Sequence, residues 1–133
     1  MIRLTPEQRV FLTERHLGAL ITIRPDGTPH VVPVAFTWDD AEGTAWITTQ
    51  DGTAKVRNIT HDDVAPARGA LCQFVGGRWL TLEGTLAVSR DPEEIAEAER
   101  RHALRYPPLE PDPDRVLIRL HADAVLGSDY MTR

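Results

Sequence analysis

The chain of 133 residues carries 15 basic and 20 acidic side chains, a net charge of −5, with 41% apolar and 26% charged residues. That composition suits one globular domain rather than a disordered or membrane-spanning chain, and its acidic balance argues against a general nucleic-acid binder. A single cysteine, Cys72, leaves no internal disulfide and no thiolate zinc cage; no signal peptide is visible, so a cytoplasmic protein is expected.

Thr5-Pro6-Glu7-Gln8 reads as a capping box with proline at the first helical position, opening a helix that should run to about Arg15. Residues 19–23 form a strand, Pro25-Asp26-Gly27 a turn, residues 30–38 a second strand and residues 45–50 a third. Such short turns suit an antiparallel meander of these three. Asp51-Gly52 breaks the pattern, and Thr53 is placed to cap a short helix over 54–59. Residues 61–69 read as loop. Strands over 70–75 and 78–89 are joined by Gly76-Gly77, a hairpin signal. Asp91-Pro92-Glu93-Glu94 opens a helix ending near Tyr106, and residues 116–122 form the last strand. Six strands with short helices predict a mainly β protein, a small antiparallel barrel. A barrel this small fills its own interior, so a flat cofactor would lie outside it or between two copies.

The second strand is apolar on both faces: His30, Val32, Val34, Phe36 and Trp38 alternate with Val31, Pro33, Ala35 and Thr37. Both faces therefore need cover, the outer one from a partner subunit or a ligand. Pro33 lacks an N–H and points to an edge or a bulge. A gap there frees backbone groups for a heterocycle; equally, it blunts an edge against aggregation. In the 78–89 strand, Leu80, Leu82, Leu86 and Val88 share a core face with Gly84, while Trp79, Thr81, Glu83 and Thr85 form a face suited to a dimer interface, a wet ligand wall, or simple half-exposure. Cys72 reads as a small core residue.

Residues 48–58 hold a strand end with Thr49, a glycine turn, a helix start, Lys55, Arg57 and Asn58. Free backbone N–H groups beside two cations suit an anionic phosphate, and Lys55 is the only lysine among 15 basic residues. A solvated surface helix is the alternative. Glu93, Glu97, Arg101 and Arg105 recur at i+4 as a solvated helix face, with Ile95, Ala98, His102 and Tyr106 as its inner stripe. No histidine has metal-ligand spacing and no nucleophile-elbow or P-loop motif occurs, so no metal is assigned.

Taken together, Asp26-Gly27-Thr28-Pro29, Lys55-Val56-Arg57-Asn58 and Trp79-Leu80-Thr81-Leu82-Glu83-Gly84 resemble, in order and spacing, the split β-barrel flavin and deazaflavin oxidoreductases related to pyridoxamine phosphate oxidase. Glu14-Arg15-His16-Leu17, Pro29-His30-Val31-Val32, Arg78-Trp79-Leu80, Leu82-Glu83-Gly84 and Val125-Leu126-Gly127-Ser128 make the chain most similar to the branch that uses coenzyme F420, in which biliverdin is among the acceptors. The resemblance covers residues 1–133 as a single domain. It implies a homodimer with a cofactor cleft between subunits. Lys55, Arg57 and Asn58, with Thr49 nearby, would hold the phosphate and ribityl end. Val32, Pro33, Val34 and Ala35 would line the deazaflavin ring, and Trp79 would reach it from the partner. The cofactor would give a hydride to a conjugated acceptor. No residue is assigned a catalytic role; solvent is the expected proton source, with His30 the alternative. Arg78, Arg68 and Arg15 are charge-based candidates for an acceptor's carboxylates. An FMN-dependent oxidoreductase on the same barrel and a non-catalytic flavin or deazaflavin carrier are the competing readings.

Overall fold

A computed structural model describes residues 2–62 and 64–128. In chain order the elements are α1 (Pro6–Phe11), β1 (Gly18–Ile23), β2 (Pro29–Val34), β3 (Thr37–Asp39), β4 (Thr44–Gln50), α2 (Ala54–Thr60), β5 (Ala67–Val75), β6 (Arg78–Ser89), α3 (Pro92–Ala103) and β7 (Arg115–Gly127). The strands make one antiparallel sheet in the order β2-β1-β5-β6-β7-β4-β3. Its two edge strands, β2 and β3, are separated in the chain by Ala35 and Phe36 alone. An extended chain spans at most about 3.6 Å per residue. The two edges are therefore within roughly 11 Å of each other, and the sheet has to curl into a barrel with a split along one side.

Seven strands replace the expected six, because the 30–38 strand breaks in two. Its first part pairs with β1, Ala19 opposite Pro33, and its second with β4, Thr37 opposite Trp46. The expected three-strand meander is thus cut at the split: β2 and β3 do not pair. Alternation could not reveal this, since Val34, Phe36 and Trp38 keep the inward phase across the break. Pro33 does lie on an edge strand.

The barrel is filled by Leu20, Phe36, Ile47, Leu71, Leu80, Leu82, Ile118 and Leu120, each 0–1% exposed. Burying each such side chain contributes roughly 1.5–3 kcal/mol. Cys72 is not among them; it is half-buried on the outward phase of β5, opposite Ala19 and Thr81. The capping box at Thr5 forms, with Gln8 N–H donating to Thr5 Oγ1 (3.1 Å) and Thr5 N–H to Gln8 Oε1 (2.8 Å). Helix α1 ends at Phe11, short of Arg15, and β7 runs past residue 122 to Gly127. A bulge permits that extension: Glu83 faces Ala124 but Gly84 faces Ala122, leaving Asp123 as the extra residue. Hairpin β5–β6 closes at Gly76 with φ +59°.

Candidate cofactor-binding site

The turn after β4 depends on Gly52, whose φ of +78° a side chain would disfavour. It leads into α2, where Thr53 is the N-cap but does not cap; its hydroxyl donates instead to the Gln50 carbonyl (3.0 Å). Asp51 is held by Arg90 through two hydrogen bonds of 3.0 Å. Val56 and Ile59 anchor α2 in the core. Thr49 is half-buried on the inward phase of β4 just above this turn.

The three polar residues of α2 have different surroundings. Arg57 is exposed and folds back to donate to the Gly52 carbonyl, bracing the turn. Asn58 is buried, its Nδ2 donating to Thr22 Oγ1 (2.9 Å), so it pins α2 to β1. Lys55 is half-buried, and among the described residues no carboxylate or carbonyl holds its ammonium. Burial alone pushes its pKa down, with no counter-charge pulling it back. An anion placed there would supply what the protein withholds.

Thr22 also faces His30 of β2 across the ladder. His30 Nδ1 is buried without a hydrogen-bond partner, one of the few orphaned side-chain atoms among the described residues. Asn58, Thr22 and His30 therefore follow one another across α2, β1 and β2, and Lys55 lies one helical turn before Asn58. The group offers an unsatisfied ring nitrogen and an unpaired cation. These are partners for a ligand carrying both a phosphate and neutral hydrogen-bonding groups. On the same strand Val34 is buried, Val32 half-buried, and Val31 and Pro33 exposed; Ala35, just beyond it, is half-buried.

Trp79, 39% exposed, stands on the outward face of β6 opposite Phe74, 60% exposed. Helix α2 meets β6 near Leu86, with which Asn58 shares a surface cavity. Seven residues of strand separate Trp79 from Leu86, about 23 Å at 3.3 Å per residue. One chain thus keeps Trp79 and Lys55 at opposite ends of its barrel. Arg78 is bound to Glu14 by two hydrogen bonds of 2.9 Å, stacks 4.8 Å over the Phe11 ring, and holds the Glu14 carboxyl below its usual pKa range. Arg68 is likewise paired, with Asp123. Arg15 is exposed.

Arg105 and Tyr106 lie just beyond α3; Tyr106 is buried as the inner stripe implied, while the inward role of Arg105 is not visible in the sequence. Instead of extending the solvated row, Arg105 turns inward. Its Nη1 donates to the Phe36 carbonyl (2.5 Å), Nε to that of Glu14 (2.9 Å), and Nη2 to Gln73 Oε1 (2.6 Å). The guanidinium lies 4.5 Å from the Phe36 ring centroid. Tyr106 Oη donates to the His16 carbonyl (2.6 Å) and accepts from the Phe36 N–H (3.3 Å). At i+4 from Arg101, Arg105 is indistinguishable in the sequence from a surface arginine.

A family model described as pyridoxamine 5'-phosphate oxidase matches residues 4–129. The chain belongs to the pyridoxamine 5'-phosphate oxidase family. Among curated members, it is 42% identical over 126 residues to a protein of Mycobacterium tuberculosis (strain CDC 1551 / Oshkosh) named F420H(2)-dependent biliverdin reductase, covering 95% of this chain and 89% of that one. A solved structure described as an F420 reductase is 26% identical, with TM-score 0.66 over 89% of this chain and 94% of the other. The conserved hypothetical protein Rv2991 of Mycobacterium tuberculosis shares the fold at TM-score 0.80 and 23% identity, over 99% of this chain and 88% of that one. Family membership accounts for the split barrel. Among the described residues no helix is long and apolar enough to cross a membrane.

Proposed function

We propose that this chain is a coenzyme F420-dependent reductase that delivers a hydride to a conjugated organic acceptor, with biliverdin the first candidate. The reading is carried by 42% identity over 126 residues to a protein named for that activity. The unpaired Lys55 and the orphaned His30 nitrogen support it from the structure. Lys55 would hold the phosphate. Arg57 and Asn58 serve it indirectly, one bracing the turn and the other fixing the helix. The edge segment 32–35, with no strand on its outer side, would lie along the ring. When bound, reduced deazaflavin supplies a hydride. The protein's part is to orient the two partners and exclude water between them. The product's proton comes from solvent.

Trp79 can contribute to the same site only from a second copy, because its own chain holds it far from Lys55. The outward face of the sheet supports that assembly. The row Pro33, Ala19, Cys72, Thr81 and Leu126 runs across five strands without a charge, flanked by exposed Val31 and Phe74.

Titration of the purified protein with coenzyme F420 and with FMN tests the cofactor, followed by mixing reduced F420 with biliverdin. Tighter binding of F420 and oxidation of the reduced cofactor by an acceptor are expected. Equal or tighter FMN binding overturns the cofactor choice in favour of an FMN-dependent oxidoreductase. Tight binding with no acceptor reduced marks a carrier.

A further inference from the structure

Between Val34, the last residue paired with β1, and Thr37, the first paired with β4, the chain crosses the barrel's split without a strand beside it. Phe36 sits there 1% exposed. A buried backbone group left unsatisfied costs about 1–3 kcal/mol. Both of its groups are satisfied by side chains some seventy residues away (roughly, by the sequence separation): the N–H by Tyr106, the carbonyl by Arg105. The ring is held as well, under the Arg105 guanidinium and against Gly18, where an added Cβ would come within 2.9 Å of it.

This is a costly way to fill a core. The Arg105 guanidinium donates to neutral oxygens, those of Glu14, His16, Phe36 and Gln73, and burial depresses its pKa. Apolar residues of similar volume often close such space as well or better than a buried charge. What a guanidinium adds is a rigid fork that fixes several carbonyls at once. Here it ties the loop before β1, the crossing point and β5 to one another.

We propose that Arg105 and Tyr106 are positioning residues for the cofactor: by fixing Phe36 they set how the chain enters and leaves the split, and so where residues 32–35 stand. This rests on the reading of 32–35 as the ring's wall. Edge strand β2 has a ladder on one side only, so the clamp at its end is what restrains it against sliding or lifting. Sites need their supporting groups held within about 0.5 Å, and small misplacements are felt strongly.

The test uses Tyr106→Phe, Arg105→Met and Arg105→Lys, with Asp91→Ala as the control. Asp91 caps α3 through the Glu94 N–H (3.4 Å) and touches neither Phe36 nor β2, so its loss loosens the same helix at the other end. Amide exchange of segment 35–38 is read in protein without cofactor, and affinity for F420 and FMN by titration. In Tyr106→Phe and Arg105→Met, exchange should quicken locally and the preferred cofactor should bind about tenfold more weakly. Arg105→Lys should recover part of both. Asp91→Ala should lower the melting temperature and leave affinity unchanged. Wild-type binding with unaltered affinity in Tyr106→Phe and Arg105→Met overturns the proposal. So does an equal loss in Asp91→Ala, which would mark a merely structural role. Wild-type protein that takes up neither cofactor overturns the reading of the site itself. Should Arg105→Met fail to fold, the near-isosteric Tyr106→Phe and the charge-keeping Arg105→Lys decide.

Discussion

Lys55 differs from several arginines of the chain in what it lacks. Arg68 has Asp123, Arg78 has Glu14, Arg90 has Asp51, and Arg119 has Glu94 at 3.1 Å. Lys55 is half-buried without such a partner, so its charge is available to a ligand and already partly desolvated. A phosphate there would form a charge-assisted hydrogen bond of about 1.5–3 kcal/mol. Lys55→Ala should therefore weaken the preferred cofactor by roughly ten- to hundredfold, at 1.4 kcal/mol per decade. Lys55→Arg should restore only part, because a planar fork does not replace a point charge. The loss should shrink at high salt, since a partly exposed ion pair is screened. Folding stability should stay within about 0.5 kcal/mol, as nothing in the chain depends on the ammonium. Titrations of both variants at low and high salt check this, and unchanged affinity in Lys55→Ala at low salt removes the phosphate assignment.

Among the elements, the β6–β7 pair is the one whose geometry depends most on a single residue. At the bulge, a Cβ on Gly84 would lie 1.9 Å from the His121 carbonyl oxygen and 2.7 Å from its carbon. Those are backbone atoms of the neighbouring strand and cannot swing aside. Gly84→Ala should cost at least about 3 kcal/mol, whereas Gly77→Ala, with open space around it, should cost under about 1 kcal/mol. Denaturant unfolding of the two variants measures the contrast. The same pair shows what was legible in the sequence and what was not. The Gly76-Gly77 hairpin, the Leu80-Leu82-Leu86 core face, the Thr5 capping box and the helix opened by Pro92 are local signals, readable because neighbours in sequence decide them. The bulge is not, since Asp123 in an otherwise alternating strand looks like one more outward polar residue. The break at Ala35 and Phe36 is hidden for the same reason: nothing in the alternation changes when the strand changes partners. At the candidate site the residue types at 55–58 were readable, but not their division of labour, because Asn58 meets Thr22 and Tyr106 meets Phe36 only after the barrel closes.

At the scale of the molecule, the outward face of β2, β1, β5, β6 and β7 leaves Val31 58%, Ile23 42%, Phe74 60% and Leu126 49% exposed in one chain. The dimer proposed above would cover this apolar surface. A two-fold dimer burying more than roughly 2,000 Å² is expected. Light scattering at micromolar concentration should return twice the chain mass, and a stable monomer would sink the arrangement. The distance along β6 between Trp79 and Leu86 then has a genetic consequence. In such a dimer a protomer altered at Lys55 and one altered at Trp79 would each spoil a different half of every cleft. When two such defective chains exchange subunits, half of the dimers become mixed, and each mixed dimer holds one cleft with both halves intact. At a cofactor concentration too low to fill the altered clefts, the two preparations should therefore regain on mixing about a quarter of the normal turnover, as random pairing in a two-fold assembly requires. Mutual rescue of this kind is open only to an enzyme that has divided each of its sites between two copies of itself.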